Sequence, residues 1–327
     1  MSLVNALKKR LVHQFISVIV YEESCNIKQK VIKGAKVIHK EEFNYDLKSK
    51  DELGAKIINF INSLQDEYDN TYISLFLNTS GQGVIPGCDS SKLELYSIDQ
   101  KSVKAICKDK RFLMYSTHID INWADKLFAK TGLDFIFSPF LILDFYFQKD
   151  MKKESFNKDD VILYILYSKN SVTMMIMQND RLLYGSFFNT TKEEDLLNID
   201  YSTASDSTID EMEELDLDNI DELGMDDILD VGNDSNFANS LLEDSFDLSE
   251  ADERVIKYID TSLKEFYDND LYESQFIVGT KIYDDCGIND GILKHLENEL
   301  LLDTNAENIS ISDAVLELSI KEALDNV

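Results

Sequence analysis

Three stretches of this 327-residue chain hold residue types that could do chemistry. Ser80-Gly81-Gln82-Gly83-Val84-Ile85-Pro86-Gly87 follows an apolar run and could cradle a phosphate with backbone N–H groups. Pro86 stands where the third glycine of G-x-G-x-x-G would be, and no helix opens from the stretch, so a plain loop is the simpler reading. His118-Ile119-Asp120 could pair a general base with the carboxylate that orients it. The chain has only four histidines and no accompanying nucleophile pattern, so a strand end followed by a helix cap accounts for this triplet. His13, His39 and His295 lack the spacing of metal ligands. Asp216, Asp218 and Asp221 invite a calcium reading, but the stretch misses the third ligand and the central glycine of an EF-hand loop. G-x-S-x-G, H-E-x-x-H and Walker-type loops do not occur. No catalytic residue and no metal site is assigned on these grounds.

What must be explained instead is charge. From Glu193 to Glu253 the chain carries 23 of its 62 acidic residues and no Lys, Arg or His. The formal net charge of −30 is therefore dominated by one segment, and the flanking sequence has the composition of ordinary folded domains. The segment is expected to be a disordered insertion. Leu215, Leu217, Ile220, Leu223, Met225, Ile228, Leu229 and Phe246 interleave with its acids. Such alternation marks segments that fold on a partner, which makes these eight the candidate partner-binding residues; a solubilising loop that never docks is the alternative. No basic patch favours nucleic acid. Lys8-Lys9-Arg10, among Leu3, Val4, Leu7, Leu11 and Val12, is either a short amphipathic membrane anchor or a first helix with a solvated basic turn. No apolar run reaches the roughly 18–20 residues of a membrane span, and no small-residue cleavage site follows the basic cluster. Cys25, Cys88, Cys107 and Cys286 form no C-x-x-C pair and read as reduced thiols of a cytosolic protein.

The elements repeat. Phe15–Tyr21, Ile27–Ile32 and Lys36–Tyr45 read as a three-strand meander, followed by an amphipathic helix over 51–68 capped by Ser49 and Glu52, then a strand over Tyr72–Leu77. From Leu93 to His118 a smaller region reads as strand, helix (Lys101–Cys107) and strand (Arg111–Ser116). A helix around Trp123, Leu127 and Phe128 stops at Gly132, and Asp134–Phe137 is a short strand. Pro139 opens a helix over Phe140–Phe147 that is apolar nearly all round and therefore buried. Val161–Tyr167, Val172–Met177 and Leu182–Phe188 form a second meander with short polar turns. After the acidic block come a helix through Val255, Ile259, Leu263 and Phe266, a strand over Gln275–Val278, a helix capped by Asn289 or Asp290, a strand over Ile309–Ile311, and a last helix over Asp313–Leu324.

Two meanders, each followed by helix and strand, resemble the duplicated ribonuclease-H-like halves of the superfamily that holds actin, hexokinase and the heat-shock chaperone ATPases. Within it, the inserted region and the closing element order look most like the PilM-type and GspL-type cytoplasmic scaffolds of type IV pilus and type II secretion machines. The resemblance covers nearly the whole chain outside the acidic block and is one of topology. It implies an α/β fold of two actin-like halves: residues 1–150, with a small insertion at about 85–120, and residues 151–327, interrupted at 193–253. It also implies that the first hairpin turn of each half, and a glycine pair after a late strand, would hold ATP. The corresponding positions are Ser24 and Asn26 in the first turn, Ser168 and Asn170 in the second, and Gly279 in the third loop. Both turns lack glycine, which close phosphate approach needs, and Glu22 and Glu23 would repel a triphosphate.

The expectation is a non-catalytic cytoplasmic scaffold with no cofactor, set at the inner face of a membrane through its partners alone. Those partners would be proteins of a pilus or secretion-type assembly, an assembly ATPase or an inner-membrane component, and not nucleic acid. Two alternatives stay open: an actin-like ATPase with divergent nucleotide loops, and an acidic regulatory protein that binds a basic partner.

Overall fold

A computed structural model describes residues 11–154, 156–191 and 248–325. The first meander is β1 (Val12–Val20), β2 (Ser24–Lys33) and β3 (Lys36–Asp46). Helix α1 (Ala55–Glu67) leads to β4 (Thr71–Phe76), and after an insertion come α2 (His118–Leu127), β8 (Phe135–Phe137) and α3 (Pro139–Asp150). The second meander is β9 (Val161–Ser168), β10 (Ser171–Gln178) and β11 (Arg181–Asn189). Then follow α4 (Glu250–Asp268), β12 (Gly279–Asp284), α5 (Asp290–Lys294, continued by a π turn to Glu299), β13 (Asp303–Asn308) and α6 (Ile311–Asp325).

Each meander belongs to its own five-stranded sheet, ordered β3-β2-β1-β4-β8 and β11-β10-β9-β12-β13. The hydrogen-bond sense matches position by position. β1 is antiparallel to β2 and parallel to β4, which is parallel to β8; β9 is antiparallel to β10 and parallel to β12, which is parallel to β13. The chain is thus two ribonuclease-H-like halves in the actin-like arrangement. Parallel sheets need both faces covered, and the helices supply this in a crossed way. The last helix of the first half, α3, lies on β9 and β10 of the second, while α6, the last of the second, lies on β1 and β4 of the first. The crossing has a sequence cause. Phe140, Ile142, Leu143 and Phe147 of α3, with Ile311 and Val315 of α6, are buried in one cluster with Ile19, Phe76, Tyr164 and Met175 from both sheets. Ser138 and Pro139 start α3, the serine Oγ accepting from Phe140 N. On the outer faces, α1 and α2 cover the first sheet through Ile57, Ile61, Leu64 and Leu127, and α4 covers the second through Val255, Ile259, Leu263 and Phe266.

Several expected elements change. Lys101–Cys107 is not a helix: Val103–Lys108 is strand β6, pairing with β7 (Phe112–Thr117), which pairs in turn with β5 (Gln82–Pro86). Cross-strand pairing decides the matter, because a six-residue segment has too little helical propensity to resist it. The expected strand from Leu93 is part of a 3-10 segment, Ser90–Tyr96. The glycine-rich stretch at 80–87 contains β5 rather than an open loop. Ser49 caps no helix; its Oγ accepts from Asp51 N in a turn, and α1 starts later, behind Gly54. The late strands are Gly279–Asp284 and Asp303–Asn308, each displaced from the expected 275–278 and 309–311. Asn289, not Asp290, caps α5.

Cysteine pairing is the correction with the widest reach. Cys88 and Cys107 form a disulfide that staples the inserted sheet, so the reading of all four as reduced thiols does not hold. Spacing alone could not show this; the pair is made by β5 and β6 both flanking β7.

Candidate functional site

The two sheets meet where the turn after β1, the turn after β9, the loop after β12 and the start of α6 converge. Tyr21 follows the last residue of β1, and the Lys169 ammonium sits 5.2 Å from its ring centre, joining the two hairpin turns. Ser310, Ser312 and Asp313, at the start of α6, face Asn26 and Lys28 of β2.

Asn26, Lys28, Glu42 and Asp313 on the cleft floor are bonded to one another and to their neighbours. Asn26 Oδ1 accepts from Ser312 Oγ at 2.7 Å, and its Nδ2 donates to Glu42 (2.8 Å) and Asn44 (2.9 Å). Buried Lys28 pairs with Glu42 at 3.0 Å and with Asp313 at 3.1 Å, and Lys40 holds the other Asp313 oxygen at 2.8 Å. Burial alone would raise the Glu42 and Asp313 carboxyls. Hydrogen bonds outweigh it and hold both below their ordinary values, from Asn26 and Lys28 for Glu42 and from Lys40 and Lys28 for Asp313. Tyr21 N donates to the carbonyl of Ser24. In the second turn the hydroxyls of Ser168 and Ser171 are 2.7 Å apart, and the Asn170 carbonyl accepts from Thr190 N. Ser24, Asn26, Ser168 and Asn170 therefore do come together at the cleft.

Gly279 does not. It opens β12, and the cleft lies at the far end of that strand, about 16 Å away at the usual rise of a strand. Its lack of a side chain has a packing reason: a Cβ there would stand 3.1 Å from the Asp303 carbonyl of the neighbouring strand. The loop that does reach the cleft is Asp284-Asp285-Cys286-Gly287, with Gly287 at φ +91°. Sequence reasoning missed it because the strand was placed too early; the Asp-Asp-Cys-Gly turn signal was present. Here three backbone N–H groups form an anion-binding nest. Asp284 fills it with its own carboxylate, accepting from Cys286 (3.1 Å), Gly287 (2.8 Å) and Ile288 (2.8 Å). Asp285 beside it accepts from Ile311 N at 2.7 Å. Burial, with Asp284 next to it, pushes the Asp285 carboxyl up to about 6 despite that hydrogen bond.

The other sequence candidates resolve into architecture. Gly81 and Gly83 are small because the side chains of Thr117, Asp120 and Tyr115 occupy the space a Cβ would need. Thr117 caps α2, its Oγ accepting from Asp120 N, and His118 opens the helix. Among the described residues, no group of three or more His, Cys, Asp or Glu is placed to hold a metal. Among them, too, no helix is long and apolar enough to cross a membrane. Leu215, Leu217, Ile220, Leu223, Met225, Ile228, Leu229, Phe246 and the aspartates of the calcium reading lie outside the described residues. The described residues that flank their segment meet beside the second hairpin turn: Thr190 N donates to the Asn170 carbonyl, and Arg254 donates to Thr190 O at 3.2 Å.

Two family models match the chain, a domain of unknown function (DUF8569) over residues 11–144 and another (DUF8341) over residues 163–324. No curated protein matches. Among solved structures, a Bacteroides thetaiotaomicron protein with actin-like ATPase fold and unknown function is 10% identical, with 98% of this chain and 97% of that one covered at a TM-score of 0.45. A chain of a PilM–PilN type IV pilus biogenesis complex is 10% identical, with 96% of each covered at 0.49. The ethanolamine utilization protein EutJ from Carboxydothermus hydrogenoformans is 7% identical, with 93% and 87% covered at 0.38.

Proposed function

We propose that the protein is a non-catalytic scaffold that binds other proteins, and that its actin-like cleft serves as a fixed structural joint. The observation that supports this most is Asp284. A carboxylate seated in the nest after β12 takes the three N–H groups that a ligand anion would need, and Glu42, Asp285 and Asp313 surround the remaining approach. A triphosphate entering here would displace bonded pairs and meet like charge.

The acidic insertion, which leaves and re-enters the fold beside the second hairpin turn, is the proposed docking arm, with Leu215, Leu217, Ile220, Leu223, Met225, Ile228, Leu229 and Phe246 as its anchors. An envelope-spanning assembly of pilus or secretion type, reached from the cytoplasmic side, is the setting that the sequence resemblance implies. Cysteine usage no longer supports the compartment, since Cys88 and Cys107 are paired.

Calorimetry with magnesium-ATP tests the reading. No binding is expected, and a dissociation constant of about micromolar or tighter would overturn it in favour of an ATPase with divergent loops.

A further inference from the structure

On the outer side of the first half, a groove of about 630 Å³ runs between the edge strand β3 and the second half of α1. Ile38 and Phe43 from β3 and Phe60, Leu64 and Tyr68 from the helix side give it an apolar lining, and Glu41 and Glu67 put two carboxylates into it. A bulge shapes its strand wall. Val37 pairs with Ile32 and His39 with Val31, so Ile38 is left over, 46% exposed and turned into the groove. β3 is the edge strand of its sheet, and α1 meets it through Phe60, whose ring lies 4.6 Å from that of Phe43.

The groove opens beside the point where the described chain begins. Asn70, two residues after Tyr68, donates to the carbonyl of Val12 and accepts from Gln14 N, while Gln14 Nε2 donates to the carbonyl of Leu64. Val12, Lys33 and Lys36 are level across β1, β2 and β3, so the groove is about 10 Å to the side of Leu11. The ten residues before Leu11 could extend about 33 Å. They read Met1-Ser-Leu-Val-Asn-Ala-Leu-Lys-Lys-Arg10, with apolar Leu3, Val4 and Leu7 followed by three cations.

We propose that this groove is the docking site for residues 1–10 of the same molecule, with Leu3, Val4 and Leu7 against its apolar lining and Lys8-Lys9-Arg10 beside Glu41 and Glu67. Three observations converge on that occupant: the tether begins near the mouth of the groove, its charge is opposite to that of the lining carboxylates, and its apolar residues match the apolar part of the lining. Tethering raises the local concentration of such a segment to about millimolar, so even weak complementarity fills the site. The docked segment would also cover the free β3 edge, which otherwise invites pairing with another chain.

The test uses the full chain carrying Cys286→Ser, with Val4→Cys and Ser63→Cys added for a short bismaleimide. An intramolecular cross-link is expected, independent of protein concentration and lost when the partner cysteine is moved to Ser91→Cys in the inserted sheet. Leu3→Asp with Leu7→Asp, in a chain without engineered cysteines, should speed amide exchange over 57–68 and 37–43 about tenfold or more. A cross-link that scales with concentration, showing another copy's segment in the groove, would overturn the proposal. So would exchange that the double substitution leaves unchanged, or an intramolecular cross-link no more frequent with Ser63→Cys than with Ser91→Cys.

Discussion

Replacing Asp285 by Asn should stabilise the protein at neutral pH, which is the reverse of the usual cost of altering a half-buried, hydrogen-bonded residue. Asp285 stands at the start of α6, where a carboxylate is ordinarily welcome, and it takes the Ile311 N–H. Burial nevertheless dominates, and Asp284 and Glu42 add repulsion that Lys28 only partly offsets, leaving the folded-state value at about 6. The unfolded chain releases this proton near pH 4. Between about pH 4 and about pH 6 the folded state therefore holds a proton that the unfolded state has lost, and stability falls as pH rises. Two units at roughly 1.4 kcal/mol each put the loss at about 3 kcal/mol by pH 7. Asn keeps an oxygen for Ile311 N and carries no charge to desolvate.

Urea unfolding followed by far-ultraviolet circular dichroism, at a series of pH values from about 4 to about 8, measures this for both proteins. The two should agree near pH 4 and separate through pH 6, with Asp285→Asn the more stable above it. Glu42 and Asp313, held below their ordinary values, act in the opposite sense: their contribution is present above the unfolded value and disappears as pH falls below about 4, equally in both proteins. The difference curve thus isolates Asp285. A difference that does not vary with pH, or an Asn variant that is weaker at pH 7, would refute the claim that desolvation outweighs the helix terminus here.

Three further experiments probe the ties between parts. Arg111→Ala, by leaving Asp144 buried and unpaired after two bonds of 2.6 and 2.8 Å, should cost about 3–5 kcal/mol in denaturant unfolding, and Arg111→Lys should recover only part of it because the fork geometry is lost. Gly185→Ala should push the inserted sheet off β11, since a Cβ there collides with Val84; amide exchange in β5 should rise, and Val84→Ala should restore it. Excising residues 192–247 and closing the gap with a short Gly-Ser linker should leave the fold intact, because Thr190 and Arg254 already touch; closing a shorter loop should add up to about 2 kcal/mol in urea unfolding, and a large loss would show that the segment packs on the fold.

What the sequence disclosed follows from where its signals are strong. The meanders are long β-branched runs broken by polar turns, and α3 is apolar on every side, so strands, turns and the buried helix could all be read. Two such meanders in series then sufficed for a duplicated fold. The inserted sheet was harder because Val103–Lys108 is short and its strand character comes from pairing with β7, a tertiary effect that local pattern does not carry. The same limit hid Cys88–Cys107. At the cleft, the absence of glycine in the two hairpin turns was visible, whereas the filled nest was not. It depends on Asp284 lying at the end of a strand, and placing that end at Val278, six residues early, moved it out of the loop.

The cleft also differs from a hinge. A scaffold of two halves that opens and closes needs one flexible line of contact, and here bonds cross the junction in three separate places. The helices α3 and α6 each lie on the opposite half's sheet, within one apolar cluster. The inserted sheet reaches from the first half onto β11 and Gly185, with Tyr96 against Tyr272. On the cleft floor, Lys28 and Asn26 bind Asp313 and Ser312. Rotating the halves about any one of these contacts would break the other two, including a buried lysine that would lose a carboxylate partner, so rotation carries the penalty of unpaired buried charge. Interfaces between domains move by default unless they are large and apolar, and this one is apolar at its centre and ion-paired at its rim. The same bonds that occupy the cleft therefore also hold its walls at a fixed angle, in keeping with the fixed joint proposed above.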